Sequence, residues 1–309
     1  MTLATPIDVP SKRRNVRRFV LALLILAVLA YAGALVHLVM QETELIFRTA
    51  GAKADTFPAF PYTKVDLPRA DGASQFGWRM PARRSVSEGG TADSSPRAAA
   101  PLTDLWVLYL HGNASTVASR MSVKHFTRLR ELGLNVLAPG YHGYNGLPGV
   151  PSEATVAADA RAGYDYLRTN ERVPAGRLVI FGWSLGAAIA VDLAARVEAR
   201  AVILEGAPAS IVDIGQSRYP MFPIRLIIRN PFRAIDRVGG IRAPLLFLHS
   251  PEDTVIPFEQ GRRLFEAAPS PKTFVEVRGG HVEASEIDHE VFYGAIARFL
   301  NLATPSLSH

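Results

Sequence analysis

The chain has 309 residues, enough for one large α/β domain and a short appendage. It contains no cysteine, which excludes disulfides, thiolate metal sites and a cysteine nucleophile. The net charge of +6 does not point to nucleic acid. Lys12, Arg13, Arg14, Arg17 and Arg18 stand against Asp8 alone in the first forty residues, and the nearly neutral remainder has no long basic stripe interleaved with aromatics.

Residues 1–18 read as a polar, basic tail. From Phe19 to Met40 about 22 residues follow without a charge, close to the roughly 20 that cross a bilayer. With the basic cluster before this run and Glu42 and Glu44 after it, the charge bias puts the N-terminus in the cytoplasm and the rest of the chain across the membrane. A cleaved signal peptide is the competing reading, with Ala30-Tyr31-Ala32 or Ala32-Gly33-Ala34 as the cleavage site. The apolar run continues past both sites, which favours an uncleaved, single-pass signal-anchor over 19–40.

Residues 41–64 read as a connector, through Glu44-Leu45-Ile46-Phe47 and the prolines Pro58 and Pro61. A hairpin follows, with Val65–Leu67 and Gln75–Met80 flanking a turn at Asp71-Gly72. Residues 82–103, rich in Ala, Ser, Gly and Arg without an apolar period, read as an exposed loop. From Leu105 onward strands and helices alternate. Strands are expected at Leu105–Leu110, Asn135–Ala138, Leu178–Phe181, Ala201–Leu204, Leu245–His249 and Thr273–Val277. Helices are expected at Ser119–Leu132, from Ser152-Glu153 to Thr169, Ala187–Val197, Phe258–Ala268 and Ile287–Leu300. Continuous apolar strands alternating with helices imply a parallel sheet covered on both faces, with ligands beyond the strands' C-terminal ends. Residues 209–243 interrupt the alternation with the apolar, Arg-punctuated run Tyr219–Arg229, where a cap over the site would lie. That run reads as core helices with surface arginines, as a substrate-gating lid, or as a membrane-contacting patch.

The polar motifs all sit at strand ends. Gly182-Trp183-Ser184-Leu185-Gly186 falls between a buried strand and a helix, the setting of a nucleophile elbow, where the turn demands glycines on either side of the serine. A serine hydroxyl needs a base, and the base needs an acid to orient it. His281, in Gly279-Gly280-His281 after the last strand, is the candidate base. His125 and His289 fall in helices as surface or packing residues. Asp253, in His249-Ser250-Pro251-Glu252-Asp253, is the candidate acid, with Glu205 the alternative. A tetrahedral oxyanion needs fixed N–H donors. These are assigned to the backbone of Leu185 and of Asn113 in His111-Gly112-Asn113-Ala114, with Ala114 the adjacent alternative and the His111 side chain a brace for the loop.

On these motifs, together with His249…Asp253…Val255…Pro257 and Gly280-His281, the chain resembles the α/β-hydrolases of the BEM46-like group, related to the serine aminopeptidase type of hydrolase domain. The resemblance covers about residues 44–301. It implies an α/β-hydrolase fold over 65–302, a mostly parallel sheet flanked by helices with a small cap. It also implies a serine hydrolase acting on acyl esters or thioesters through an acyl-enzyme, without a metal or organic cofactor. The expected partners are an acyl-ester or lipid-like substrate and the membrane. The chain departs from the pattern at Gly140-Tyr141-His142-Gly143-Tyr144-Asn145, where such families often carry D-Y-R-G-Y-G, and at Ser250, where glycine is usual. Two other readings remain open at this stage: a membrane-tethered scaffold without turnover, and an aminopeptidase using Asp213 to hold a substrate ammonium.

Overall fold

The structure is a computed structural model and describes residues 11–52, 54–73, 75–83, 104–144 and 146–302. The expected exposed loop at 82–103 lies outside the described residues from position 84 onward, as do the first ten residues of the basic tail. The chain divides into two compact units, Met1–Glu42 and Thr43–His309.

The first unit is helical. Helix α1, Ser11–Phe47, has 37 residues, and its apolar stretch is long enough to cross a membrane. Phe19, Leu24, Leu26 and Leu29 lie about three-fifths exposed along it. The helix does not stop at Met40, where a connector was expected, but continues to Phe47. Residues 41–47 contain no glycine or proline, so nothing breaks the ladder. It ends at Arg48, which adopts a left-handed conformation (φ 51°).

The second unit is built on one eight-stranded sheet. Its elements in chain order are β1 (Thr63–Asp66), β2 (Phe76–Met80), β3 (Trp106–Leu110), α2 (Arg120–Glu131), β4 (Asn135–Pro139), α3 (Glu153–Thr169), β5 (Leu178–Trp183), α4 (Leu185–Ala194), β6 (Ala201–Glu205), α5 (Ile211–Arg218), α6 (Ile224–Ile227), β7 (Leu245–His249), α7 (Phe258–Ala267), β8 (Lys272–Glu276), α8 (Ala284–Ile287) and α9 (His289–Leu300). The strand order is β1-β2-β4-β3-β5-β6-β7-β8. The β1–β2 hairpin and the β2–β4 pair are antiparallel; all other pairs are parallel.

Strand periodicity explains the layers. Leu108, Leu137, Ile180, Val202 and Phe247 point to one face and pack with Val156 and Ala160 of α3 and Ala187 and Val191 of α4. Val107, Val136, Val179, Ile203 and Leu248 point to the other and pack with Phe126 and Leu129 of α2 and Phe292 and Ile296 of α9. Both faces of β3, β5, β6 and β7 are dry, which is why these strands read as unbroken apolar runs. Chain direction across the sheet reverses at β3, whose neighbours are β4 on one side and β5 on the other. The crevice at such a switch point is where ligands bind in open α/β sheets.

Two helices are sharply started. Ser152 and Thr155 cap α3 reciprocally, Thr155 N–H donating to Ser152 Oγ at 3.1 Å and Ser152 N–H to Thr155 Oγ1 at 2.7 Å. Ser119 caps α2. The last helix begins later than expected, because Asp288 leaves helical geometry and divides it into α8 and α9. The Asp288 carboxylate accepts Arg278 N–H at 3.1 Å and pairs with the Arg278 guanidinium at 3.0 Å, tying down the turn that carries His281. Residues 209–243, expected as a cap, contain α5, α6 and 3-10 turns at Ala234–Asp236 and Val238–Gly240.

Candidate active site

Ser184 joins β5 to α4 with φ 56° and ψ −119°, a conformation that non-glycine residues adopt only when the surroundings force it. The flanking glycines show the constraint. A Cβ on Gly182 would collide with the Gly186 carbonyl and lie 2.7 Å from Ala190 Cβ. One on Gly186 would collide with the Leu110 carbonyl and lie 2.7 Å from the His111 oxygen. The Ser184 N–H donates to the Glu205 carbonyl at 2.8 Å, which fixes the elbow to the end of β6. Leu185 is the first residue of α4, so its N–H has no partner within the helix and faces out of the positive helix end.

The structure brings the serine, histidine and aspartate into one hydrogen-bonded chain. His281 Nε2 is 2.8 Å from Ser184 Oγ, and His281 Nδ1 is 2.6 Å from Asp253 Oδ2. The other carboxylate oxygen, Oδ1, accepts the N–H groups of Val255 and Ile256, each at 2.8 Å. His249 Nε2 lies 3.4 Å from Oδ2. Burial works to raise the Asp253 carboxyl. The hydrogen bonds from His249, His281 and the Ile256 N–H more than offset it and hold the group well below the usual carboxylate range. The imidazole of His281 stacks on Trp183, ring centroids 6.1 Å apart.

The loop after β3 packs directly against the elbow. A Cβ on Gly112 would lie 3.2 Å from Ser184 Cβ. The Ala114 N–H donates to the Phe47 carbonyl at 3.1 Å, which removes Ala114 as an oxyanion donor in this arrangement. The Asn113 side chain donates through Nδ2 to the Ile46 carbonyl at 3.0 Å and is turned to that task. Its backbone N–H makes no hydrogen bond among the described residues. His111 is buried, packs against the Tyr141 ring with centroids 3.9 Å apart, and its Nδ1 donates to the Gly112 carbonyl, 2.9 Å away. Burial pushes it down to about 4, so it is a neutral packing group.

Glu205 lies elsewhere. Its carboxyl is buried, with Oε2 3.4 Å from His125 Nε2, and neither oxygen is hydrogen-bonded among the described residues. Burial, with the Asp253 charge nearby, raises it well above the usual carboxylate range. His125 is fully buried on α2, hydrogen-bonded to the Tyr109 hydroxyl (2.6 Å) and Ser285 (3.1 Å), and burial lowers it to about 3. It is a core residue, not a surface one.

Three supports of the site carry no sequence motif. Gly206 stands behind the His281–Asp253 pair. Phe47, expected in a connector, is fully buried and its carbonyl also accepts the Tyr144 hydroxyl at 2.6 Å. Asp159, buried in mid-α3, accepts the His142 N–H at 2.8 Å and Arg69 Nη1 at 2.7 Å, and Arg69 also reaches His142 Nδ1 at 2.8 Å. This cluster holds the loop after β4, where His142 replaces the arginine usual in similar families.

Residues 107–278 match the sequence profile of the alpha/beta hydrolase family. An uncharacterized protein of Mycobacterium tuberculosis is 33% identical over 284 residues, 90% of this chain and 95% of that protein. Human alpha/beta hydrolase domain-containing protein 17B is 33% identical over 178 residues, 57% of this chain and 59% of its own. Among solved structures, the Pyrococcus furiosus esterase Pf2001 superimposes with a TM-score of 0.63 at 19% identity, over 79% of this chain and 91% of that one. The esterase domain of a Rhodothermus marinus protein gives 0.54 at 23% identity, over 77% and 99%. With the elbow, the switch-point sheet and the profile match in agreement, this chain belongs to the alpha/beta hydrolase family.

Proposed function

We propose that the chain is a membrane-anchored serine hydrolase that cleaves acyl esters or thioesters through an acyl-enzyme. Ser184 Oγ attacks the acyl carbonyl while His281 Nε2 takes its proton. Asp253 holds the imidazole in the required tautomer and stabilises the imidazolium that forms. The developing oxyanion is held by the N–H groups of Leu185 and Asn113. His281 returns the proton to the leaving group, and water, activated by the same imidazole, releases the acid and regenerates Ser184. The observation that carries this reading is the unbroken Ser184–His281–Asp253 hydrogen-bond chain at a strained elbow. That two proteins of similar fold are an esterase and an esterase domain agrees with it.

The acid that an aminopeptidase would need is engaged elsewhere. Asp213 pairs with Arg225 at 3.0 Å and Arg263 at 3.2 Å, so it is neutralised before any substrate ammonium arrives. An apolar acyl group suits the site better. Helix α1 serves as an uncleaved signal-anchor, with the basic N-terminus cytoplasmic and the hydrolase unit on the opposite side.

The test is labelling by a fluorophosphonate probe, followed by turnover of a panel of short- and long-chain esters, thioesters and aminoacyl amides. Wild-type protein is expected to label and to turn over esters or thioesters, and Ser184→Ala to do neither. Folded wild-type protein that fails to label overturns the nucleophile assignment. N-terminal sequencing of the membrane-extracted protein tests the anchor, and a mature terminus near Gly33 or Leu35 refutes it.

A further inference from the structure

We propose that the side chain of Asn113 is a positioning residue for the oxyanion hole, clamped to the carbonyls at the C-terminal end of α1. The proposal rests on the reading of the site as a serine hydrolase whose oxyanion is held by the N–H groups of Asn113 and Leu185. Residues 43–47 of α1 belong to the Thr43–His309 unit, so every group in the clamp lies within that unit. The last four carbonyls of an α-helix have no partner inside it. For Ile46 and Phe47 the donors that would continue the helix go elsewhere. The Ala50 N–H donates to Glu44 Oε2 at 3.3 Å, and the Gly51 N–H to the Arg48 carbonyl at 3.1 Å. Glu44 Oε2 also accepts the Thr49 hydroxyl at 3.1 Å, and Arg48 is left-handed (φ 51°), which turns the chain off the helix. The Phe47 ring is buried edge-on to Phe232, centroids 5.9 Å apart, and fixes this end of the helix in the core. Two carbonyls are thus left in place to accept.

The loop after β3 supplies the donors. Consecutive residues bond to consecutive carbonyls: Asn113 Nδ2 to Ile46 at 3.0 Å and the Ala114 N–H to Phe47 at 3.1 Å. The buried Tyr144 hydroxyl also donates to the Phe47 carbonyl, at 2.6 Å. Farther along, the N–H groups of Asp55 and Thr56 donate to the Ala118 carbonyl at 3.1 and 2.9 Å. The loop is therefore tied to the segment 46–56 at both ends. Ala114 is left-handed (φ 50°), a conformation that a residue with a side chain keeps only when its neighbours hold it. With the Ala114 N–H given to Phe47, the Asn113 N–H is the donor that stays open, and it must stand within about 3 Å of the developing oxyanion. The N–H and the side chain of Asn113 leave the same Cα. Pinning Nδ2 on one side, and the next peptide on the other, restricts the rotation of that N–H. An oxyanion hole works by such preorganisation, since donors that must first be turned into place lose part of their effect.

The test compares wild type, Asn113→Ala and Asn113→Asp as full chains in detergent. The readouts are kcat and KM on the best ester of the panel, the melting temperature, and inhibition by phenylboronic acid, whose tetrahedral adduct on Ser184 Oγ places an oxygen where the oxyanion forms. Asn113→Ala is expected to lower kcat about 10- to 100-fold with KM within threefold. The inhibition constant of the boronic acid is expected to rise by the factor by which kcat/KM falls, because both report the tetrahedral state. Asn113→Asp keeps the shape but, ionised, only accepts, and is expected to lose at least as much. A purely structural role would lower the melting temperature without this parallel. A fall in kcat of less than threefold, an unchanged boronic acid affinity, or loss of the fold in both variants overturns the clamp. Wild-type protein that neither takes the fluorophosphonate nor turns over an ester refutes the hydrolase reading and the proposal with it. Active wild type beside an equally active Asn113→Ala refutes the clamp alone.

Discussion

Gly206 and His281 compete for one space. A Cβ at position 206 would lie 3.2 Å from His281 Cε1, 3.4 Å from its Nδ1 and 3.5 Å from Asp253 Oδ2. Gly206 also has φ 53°, where a side chain costs about 1–2 kcal/mol. The imidazole is thus held between the Trp183 ring and the bare backbone of Gly206. Gly206→Ala is expected to lower kcat about 10- to 100-fold by displacing the ring, with KM within twofold, since catalysis is steep in the placement of reacting groups. Steady-state kinetics on the best ester of the panel would show it, and a wild-type kcat would mean that this packing does not set the ring.

Asp253→Asn is expected to be far more damaging than its size suggests. Oδ1 accepts two backbone N–H groups, from Val255 and Ile256. An asparagine must place its carbonyl oxygen there, which turns its NH2 toward His281 Nδ1. That nitrogen then has to accept, the proton moves to Nε2, and the imidazole can no longer take the Ser184 proton. The loss in kcat should be about 10⁴-fold with the fold intact. A loss under tenfold, measured by ester turnover with circular dichroism as the folding control, would remove Asp253 from this role.

Glu205→Gln should separate a structural carboxyl from a catalytic one. A carboxyl raised in the folded state stabilises fully below its unfolded value, near 4.3, and that contribution is lost as pH rises. An amide of the same shape removes this penalty. The melting temperature of Glu205→Gln relative to wild type is therefore expected to be more favourable at pH 8 than at pH 5, with ester turnover within about threefold. A pH-independent difference between the two proteins would mean that Glu205 is not held protonated by its site.

His111 and His125 impose the opposite dependence. Both are neutral in the fold, lowered to about 4 and about 3 by burial, against about 6.5 unfolded. The unfolded chain binds more protons below pH 6.5, so stability falls as pH falls from there toward 4. Each group contributes up to about 1.4 kcal/mol per pH unit. Denaturant titrations of the full chain between pH 7 and pH 5 should show this decline, smaller in His125→Gln if that variant folds. A difference between wild type and His125→Gln that does not change with pH would contradict the neutral burial of His125.

The parts of the site legible in the sequence are those where local geometry restricts residue type. Gly182 and Gly186 are required by the elbow itself, and the apolar runs of β3, β5, β6 and β7 follow from strands dry on both faces. His281 and Asp253 are legible as candidates because each follows a strand and their order in the chain fits. Phe47 was not found, because a buried carbonyl at a helix end leaves no mark on the residues that carry it. Nor were Asp159 and Arg69, whose partners are up to 90 residues away. The break between α8 and α9 depends on Asp288 reaching Arg278, a contact that no helical period records.

The sequence by itself determined the alternation of strands and helices, the long apolar run and the chemical identity of the candidate site groups, because propensity, periodicity and chemical type are properties of residues. Only the tertiary structure decided which groups meet. Asp253 faces His281 while Glu205 faces His125, and Asn113 keeps its N–H open while Ala114 gives its own to Phe47. The reason is physical: the order of strands across the sheet and the packing of loops at its edge set distances of about 3 Å between residues far apart in the chain, and a hydrogen bond is decided by those distances.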